Sequence, residues 1–326
     1  MIEDINHMRR HFMLEKSTFT CLAADGLKIQ GRSWRDNSNS PRACLLIIHG
    51  MTEFCLRYDD FASFLSEQGI LVYAFDLRGH GLTTPDAQNR GFFAEKNGVD
   101  LLMSDIDCVR SKIDELRVEI SAQDLPFFMF GHSMGSFITS CYIKRNHAKG
   151  LSGVILSGTT AKAGLAGAGK FMARIQCLFK GPKSEGKFLD KVAFGTYNEK
   201  FQPQRTEKDW LTRDNAIVDA YIADPACMFL FKASGFSDLS SLLMECGSKN
   251  WTEAVPKDMP VYIYCGGNDP VGMYSKGPTS LYEWYKETGH TDVSLKVYPE
   301  GRHEMHNELN RDEVYRAVLA FLLQHV

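Results

Sequence analysis

One stretch, residues 126–147, constrains what this chain can fold into more than any other. A short apolar run of strand length, residues 126–130, leads directly into Gly131-His132-Ser133-Met134-Gly135. From residue 136 to 147 the pattern turns helical, with Phe137, Ile138, Cys141, Tyr142 and Ile143 supplying much of an apolar face. Only a sharp turn fits between such a strand and such a helix. A serine on that turn presents its hydroxyl at the sheet edge, and glycines two positions to either side let neighbouring backbone approach closely. Serine and glycine also meet in plain turns, so the pentapeptide takes its weight from the strand before it and the helix after it.

The rest of the chain repeats this strand-to-helix rhythm. Residues 17–23 and 27–34 flank the turn Ala24-Asp25-Gly26 and read as a hairpin. Residues 44–48, 70–75, 127–130 and 153–156 are near-continuous apolar runs, as strands buried on both faces require. Two further strands fall at 261–265 and 293–297. Helical patterns cover 58–68, much of 91–118, and 311–325, where Val314, Ala317, Val318, Phe321 and Leu322 share one face. Strands alternating with helices define an α/β class: a mostly parallel, eight-stranded sheet with helices on both faces. Such sheets hold their sites at the carboxyl ends of the strands, so a residue that does chemistry should directly follow a strand.

The interval 159–256 breaks the rhythm. It opens on a Gly/Ala-rich run at 161–169, carries Phe171, Phe194, Tyr197, Trp210, Tyr221 and Phe231 among other aromatics, and shows no buried-strand run. It is too long for a bare loop. We expect a core formed by 1–158 and 257–326, with 159–256 inserted as a helical cap. The cap's aromatic, Leu and Met content suggests an apolar channel over Ser133, although most of these residues must form the cap's own core. Residues 170–180 are basic and amphipathic, which suits transient contact with a membrane surface. A solvated helix face is the plainer account of that pattern.

Composition limits the partners. Lys and Arg number 37 against 40 Asp and Glu, a net charge of −3, so no nucleic acid partner is expected. The nine cysteines form no CxxC pair and read as reduced, core-packed thiols, which fits a cytoplasmic location. Residues 1–16 mix charged with apolar side chains and do not read as a secretory signal, and no segment approaches the length of a membrane span. No Gly-rich nucleotide motif and no His-Glu-x-x-His occurs, and His303 with His306 lacks further ligands. Neither a cofactor nor a metal is expected. The oligomeric state stays open.

A serine hydroxyl is a poor nucleophile at neutral pH without a base, a group that orients the base, and donors for the oxyanion. Asp269 follows the strand at 261–265 through Gly266-Gly267-Asn268, and a carboxylate there could fix an imidazole tautomer. A plain Asp-Pro turn is the competing account. The rival strand end, Ser157-Gly158-Thr159-Thr160, holds no acid. His303 lies in the loop after 293–297, with His306 as its close rival. His7, His11, His147 and His325 fall on terminal or helical surfaces, His80 precedes the nucleophile, and His290 precedes the last strand. The amides of Met134, directly after the serine, and of Met51, in His49-Gly50-Met51, are the candidate oxyanion donors. Gly50, Met51 and His132 are expected to border the substrate.

In order and spacing, several pieces resemble the monoglyceride lipase and lysophospholipase branch of the serine α/β-hydrolases, also grouped with the serine aminopeptidase-like hydrolases. They are His49-Gly50-Met51-Thr52-Glu53 with Arg57-Tyr58, Phe75-Asp76-Leu77-Arg78-Gly79-His80-Gly81, Gly131 to Gly135, Asn268-Asp269-Pro270-Val271-Gly272, and Arg302-His303-Glu304. The resemblance spans residues 15–326, and the cap pieces Trp210-Leu211-Thr212-Arg213-Asp214 and Asp224-Pro225-Ala226-Cys227 resemble bacterial members. It implies an α/β-hydrolase fold with Ser133 as nucleophile, Asp269 as acid, His303 as base, and the Met51 and Met134 amides as oxyanion hole. The implied activity is hydrolysis of monoacylglycerol- or lysophospholipid-type acyl esters through an acyl-enzyme. A small-molecule carboxylesterase or an aminopeptidase-like hydrolase is the alternative; a non-catalytic interaction protein would usually lack a triad member. Asp76, Arg78 and His80 are expected to order the floor of the site. His306 stands where an apolar residue is expected.

Overall fold

The computed structural model describes residues 14–161 and 163–326. His7, His11 and nearly all of the 1–16 segment lie outside the described residues, as does Lys162 in the Gly/Ala-rich run. In chain order, β1 (Leu14–Leu22) and β2 (Lys28–Asp36) form the expected hairpin. Then β3 (Ala43–Ile48), α1 (Asp59–Glu67), β4 (Ile70–Phe75), α2 (Gly98–Glu119), β5 (Phe127–His132), α3 (Met134–Arg145) and β6 (Gly153–Ser157) alternate. The helices α4 (Ala166–Lys180), α5 (Lys187–Phe194), α6 (Asn215–Ala223) and α7 (Ala233–Glu245) follow. The chain closes with β7 (Val261–Gly266), α8 (Lys276–Glu287), β8 (Val293–Tyr298) and α9 (Arg311–Gln324).

The sheet has eight strands in the order β1-β2-β4-β3-β5-β6-β7-β8. β2 runs antiparallel to β1 and β4, and every other neighbouring pair is parallel. Strands β3 to β7 are buried along their whole length, which explains their unbroken apolar runs. Alternate side chains serve opposite faces. On one, Cys44, Leu46 and Ile48 join Leu102, Ile106 and Val109 of α2 and Phe137, Ile138 and Cys141 of α3. On the other, Ala43, Leu45 and Ile47 join Phe61 and Leu65 of α1 and Val314, Val318 and Phe321 of α9.

The strand reading passes over α8. Its segment carries Gly277 and Pro278 in the first turn, and only Gly277, Pro278, Leu281 and Tyr285 are buried. Between β6 and β7 no sheet strand occurs among the described residues; a lone bridge joins Glu185 to Lys232. The end of this interval packs on the core: Cys246, just after α7, sets its Sγ 3.3 Å from that of Cys141 in α3. All nine cysteines are free, six of them buried. Among the described residues, no helix is long and apolar enough to cross a membrane.

The turn from β5 to α3 explains both glycines of its pentapeptide. Ser133 takes φ 53°, ψ −123°, a region that costs a non-glycine residue about 1–3 kcal/mol and persists only when its surroundings enforce it. A Cβ on Gly135 would lie 2.1 Å from the Ile48 carbonyl oxygen, and one on Gly131 would lie 2.4 Å from that of Gly135. The helix start is thus pressed against the end of β3. Gly135→Ala should lower stability by about 1–3 kcal/mol, the usual cost of overpacking, read from urea unfolding. An unchanged midpoint and slope would show that this contact is not tight.

Candidate active site

The carboxyl ends of β3, β5, β7 and β8 carry Gly50-Met51, Ser133, Asp269 and His303 respectively. Ser133 is half-buried, and its amide donates to the Ser157 carbonyl at 2.9 Å. The Met134 amide opens α3, where the first amides have no intrahelical acceptor. A Cβ on Gly50 would lie 3.1 Å from the Ser133 Cβ, so the turn that carries Met51 sits directly against the serine. Met51 itself is partly exposed and packs against the core.

Asp269 is fully buried. Its Oδ1 accepts from His303 Nδ1 at 3.0 Å and from the Val271 amide at 2.9 Å, while Oδ2 has no partner among the described residues. Burial pushes the His303 imidazole down. The charge and hydrogen bond of Asp269, with Glu304 and Glu53 behind, more than offset this and raise it above the ordinary histidine value. A proton held at Nδ1 leaves Nε2 free to act as base. Gly158, at φ +57°, makes room for this ring: a Cβ there would lie 2.8 Å from His303 Cε1 and 2.9 Å from His132 Cε1. The strand end that lacks an acid therefore supplies space.

His306 does not compete for Asp269. Its ring is fully buried and stacks on Tyr58 at 4.4 Å, with 15° between planes. Burial pushes it down to about 3, so it is a neutral, flat aromatic, which fits a position where an apolar residue is expected. His132 is also inside the protein, 1% exposed, with Nδ1 3.2 Å from Ser157 Oγ and its ring 4.7 Å from that of His303. Burial, then the nearby His303, holds it well below the ordinary value. It braces His303 from the interior.

Other groups fix the Met51 turn. His49 Nε2 accepts from the Leu77 amide at 3.0 Å, and His80 Nε2 accepts from the Thr52 amide at 3.3 Å. Asp76 accepts from the amides of Cys55 and Leu82 at 2.8 and 2.7 Å. Arg78 forks onto Asp105 at 2.6 and 2.7 Å and reaches Asp25 at 2.9 Å.

The sequence shows Glu53, Arg57 and Glu304 only as pieces of motifs, with no role attached. The structure joins them. Arg57 forks onto Glu304 with two bonds of 2.6 Å and reaches Glu53 at 2.9 Å. Glu53 in turn accepts from the Gly50 amide and, at 2.9 Å, from Tyr58 Oη. Glu304 directly follows His303. Burial works to raise its carboxyl, but Arg57 overrides this and holds it below the usual carboxylate range. One buried guanidinium thus ties the Gly50-Met51 turn to the His303 loop.

The segment after α5 is bonded to the same loop. His303 and Glu304 donate their amides to the carbonyls of Trp210 and Leu211 at 3.3 and 2.7 Å. Arg302 donates to the Asp209 carbonyl, and Arg213 pairs with Glu308 at 2.8 Å. The Trp210 ring lies 5.1 Å from that of His303. From there, ring contacts run through Tyr197, Phe194, Phe236 and Phe231 to His80, which holds the Thr52 amide. An arc of aromatic rings therefore joins His303 to the turn beside Met51. Arg57→Gln should cost about 3–5 kcal/mol in chemical unfolding, because two buried carboxylates lose their partner. A loss below about 1 kcal/mol, the range of surface pairs, would contradict the clamp.

A family model described as Hydrolase_4, serine aminopeptidase, S33, matches residues 39–310, and the chain belongs to that family. The monoacylglycerol lipase of Mycolicibacterium smegmatis is 27% identical over 316 residues, covering 95% of this chain and 98% of that protein. The monoglyceride lipase of Mus musculus is 26% identical over 299 residues, covering 91% and 86%. Among solved structures, a thermostable carboxyl esterase from Bacillus coagulans, crystallised with glycerol, is 30% identical and matches with a TM-score of 0.87 over 95% of this chain and 99% of that one. Fold, family and relatives together make the chain an α/β-hydrolase and a serine ester hydrolase.

Proposed function

We propose that this chain hydrolyses acyl esters of the monoacylglycerol or lysophospholipid type, with Ser133 as nucleophile, His303 as base and Asp269 as its orienting acid. Residues 159–256 act as the cap over the site. The bond from His303 Nδ1 to Asp269, opposite a serine on a strained strand-to-helix turn, carries this reading. The relatives named for monoacylglycerol lipase activity support the substrate class.

Ser133 Oγ attacks the ester carbonyl while His303 Nε2 takes its proton. The Met51 and Met134 amides hold the oxyanion, and such a donor is worth about 100- to 1,000-fold in rate. The tetrahedral intermediate collapses, His303 protonates the leaving alcohol, and the acyl-enzyme forms. Water, deprotonated by His303, then releases the fatty acid and restores Ser133. The partly exposed rings of Trp210, Tyr197 and Phe194 offer an apolar surface for the acyl chain.

His303 must be neutral to act, so activity rises with pH through its raised pKa. The acid limb of kcat/KM should lie above the ordinary histidine value of 6.5. Asp269→Asn should move that limb down and lower kcat by about 10,000-fold, as loss of the orienting carboxylate does in other triads. An unmoved limb would exclude the pair as the titrating unit.

Ser133→Ala should abolish hydrolysis of a medium-chain monoacylglycerol without changing the thermal unfolding midpoint. A substrate panel tests the class. Medium- or long-chain monoacylglycerol should be cleaved faster than an acetyl ester or an aminoacyl anilide, and the reverse order would overturn the lipid reading.

A further inference from the structure

Four backbone groups of the turn that carries Met51 are already engaged. Glu53 accepts from the Gly50 amide, and Thr52 Oγ1 donates to the Met51 carbonyl at 2.8 Å. His80 Nε2 accepts from the Thr52 amide at 3.3 Å. The fourth group is the Gly50 carbonyl, which accepts from His49 Nδ1 at 2.7 Å. Among these lies the Met51 amide, which has no acceptor among the described residues.

The His49 contact bears on that amide directly. A peptide unit is planar, so the Gly50 carbonyl and the Met51 N–H turn together. Whatever fixes the carbonyl oxygen therefore fixes the direction of the N–H. His49 is fully buried, and the Leu77 amide donates to its Nε2 at 3.0 Å. An amide N–H only donates, so Nε2 is the bare nitrogen and Nδ1 carries the proton. Leu77, two residues beyond β4, thus sets the tautomer that the bond to Gly50 requires. A bond on the carbonyl oxygen also polarises the peptide and strengthens its N–H as a donor. Thr52, at φ 54°, holds a left-handed backbone that its surroundings must enforce, so the turn does not take this shape unaided.

We propose that His49 is a positioning residue for catalysis: its Nδ1 proton, held on the Gly50 carbonyl, aims the Met51 N–H at the oxyanion. This rests on the reading of the Met51 amide as an oxyanion donor. His49 touches no reacting atom and acts through the peptide beside it.

Two substitutions separate its two bonds. In His49→Asn the side-chain nitrogen lies near the position of Nδ1 and keeps a donor for the Gly50 carbonyl, while the Leu77 amide loses its acceptor. In His49→Gln the side-chain oxygen reaches towards the position of Nε2 and keeps an acceptor for Leu77, while the Gly50 carbonyl loses its donor. Turnover of a soluble short-chain ester is measured for each, with inhibition by a trifluoromethyl ketone, which forms a tetrahedral adduct with a serine. His49→Gln should lower kcat about 100-fold, the cost of a misplaced group, and leave KM within about twofold. Its affinity for the ketone should fall in proportion to kcat. His49→Asn should retain most of the parent's kcat and ketone affinity, even with a lower thermal midpoint. Equal losses of kcat in the two variants overturn the proposal. So does parental kcat in His49→Gln with only a lower thermal midpoint, which is what a bracing role alone predicts.

If a variant does not fold, the parent decides. After reaction with a fluorophosphonate, its crystal structure should show the phosphoryl oxygen on the Met51 amide and His49 Nδ1 still on the Gly50 carbonyl. A ring withdrawn from that carbonyl overturns the proposal. A parent that turns over no ester, or an adduct oxygen far from Met51, refutes the proposed reaction and this inference with it, so the two failures are told apart.

Discussion

Arg57 holds two carboxylates from opposite ends of the chain at once. Glu53 belongs to the turn after β3 and Glu304 to the loop after β8. A buried pair of this kind adds little net stability over a well-packed apolar cluster, because desolvating the charges offsets their attraction. Its geometry is another matter. A bidentate arginine fixes distance and angle between the groups it bridges. Through Glu53 it reaches the Gly50 amide, one residue from the Met51 amide. Through Glu304 it reaches the residue next to His303. The Met51 turn and His303 cannot shift independently while that guanidinium is in place.

Around this clamp the site is assembled from strand ends by contacts with no slack. The strained Ser133 backbone is held because Gly135 and Gly50 bring two strand ends within van der Waals reach. Gly158 clears space for His303, and the bond to Asp269 then fixes which nitrogen of that ring is free. The interval between β6 and β7 is part of the same assembly. Its Trp210 and Leu211 carbonyls accept from the amides of His303 and Glu304, so a movement of this segment is carried directly to His303.

Strands β3 to β7 were legible because they are buried on both faces, which forces continuous apolar runs. The placing of Ser133, Asp269 and His303 at strand ends was legible because each follows a strand run. The helix α8 was hidden by Gly277 and Pro278 and by a narrow buried face. The Glu53, Arg57 and Glu304 clamp was hidden for another reason. It joins residues 247 positions apart, and no local spacing encodes such a pairing. His306 is instructive in a third way. As a residue type it suggests a base or a ligand, yet full burial against Tyr58 leaves it neutral and inert. The outward apolar face of α4, with Phe171, Leu178 and Phe179 exposed, needed the structure too, since periodicity gives a face but not which side meets solvent.

In the reaction proposed for this chain, Ser133, activated by His303, forms a covalent acyl-enzyme. Peptide mapping by mass spectrometry after reaction with a fluorophosphonate tests it most directly. One adduct should form, on the peptide that contains Ser133, and it should vanish in Ser133→Ala and slow sharply in His303→Ala. An adduct on another residue, or labelling that survives Ser133→Ala, would contradict the assignment.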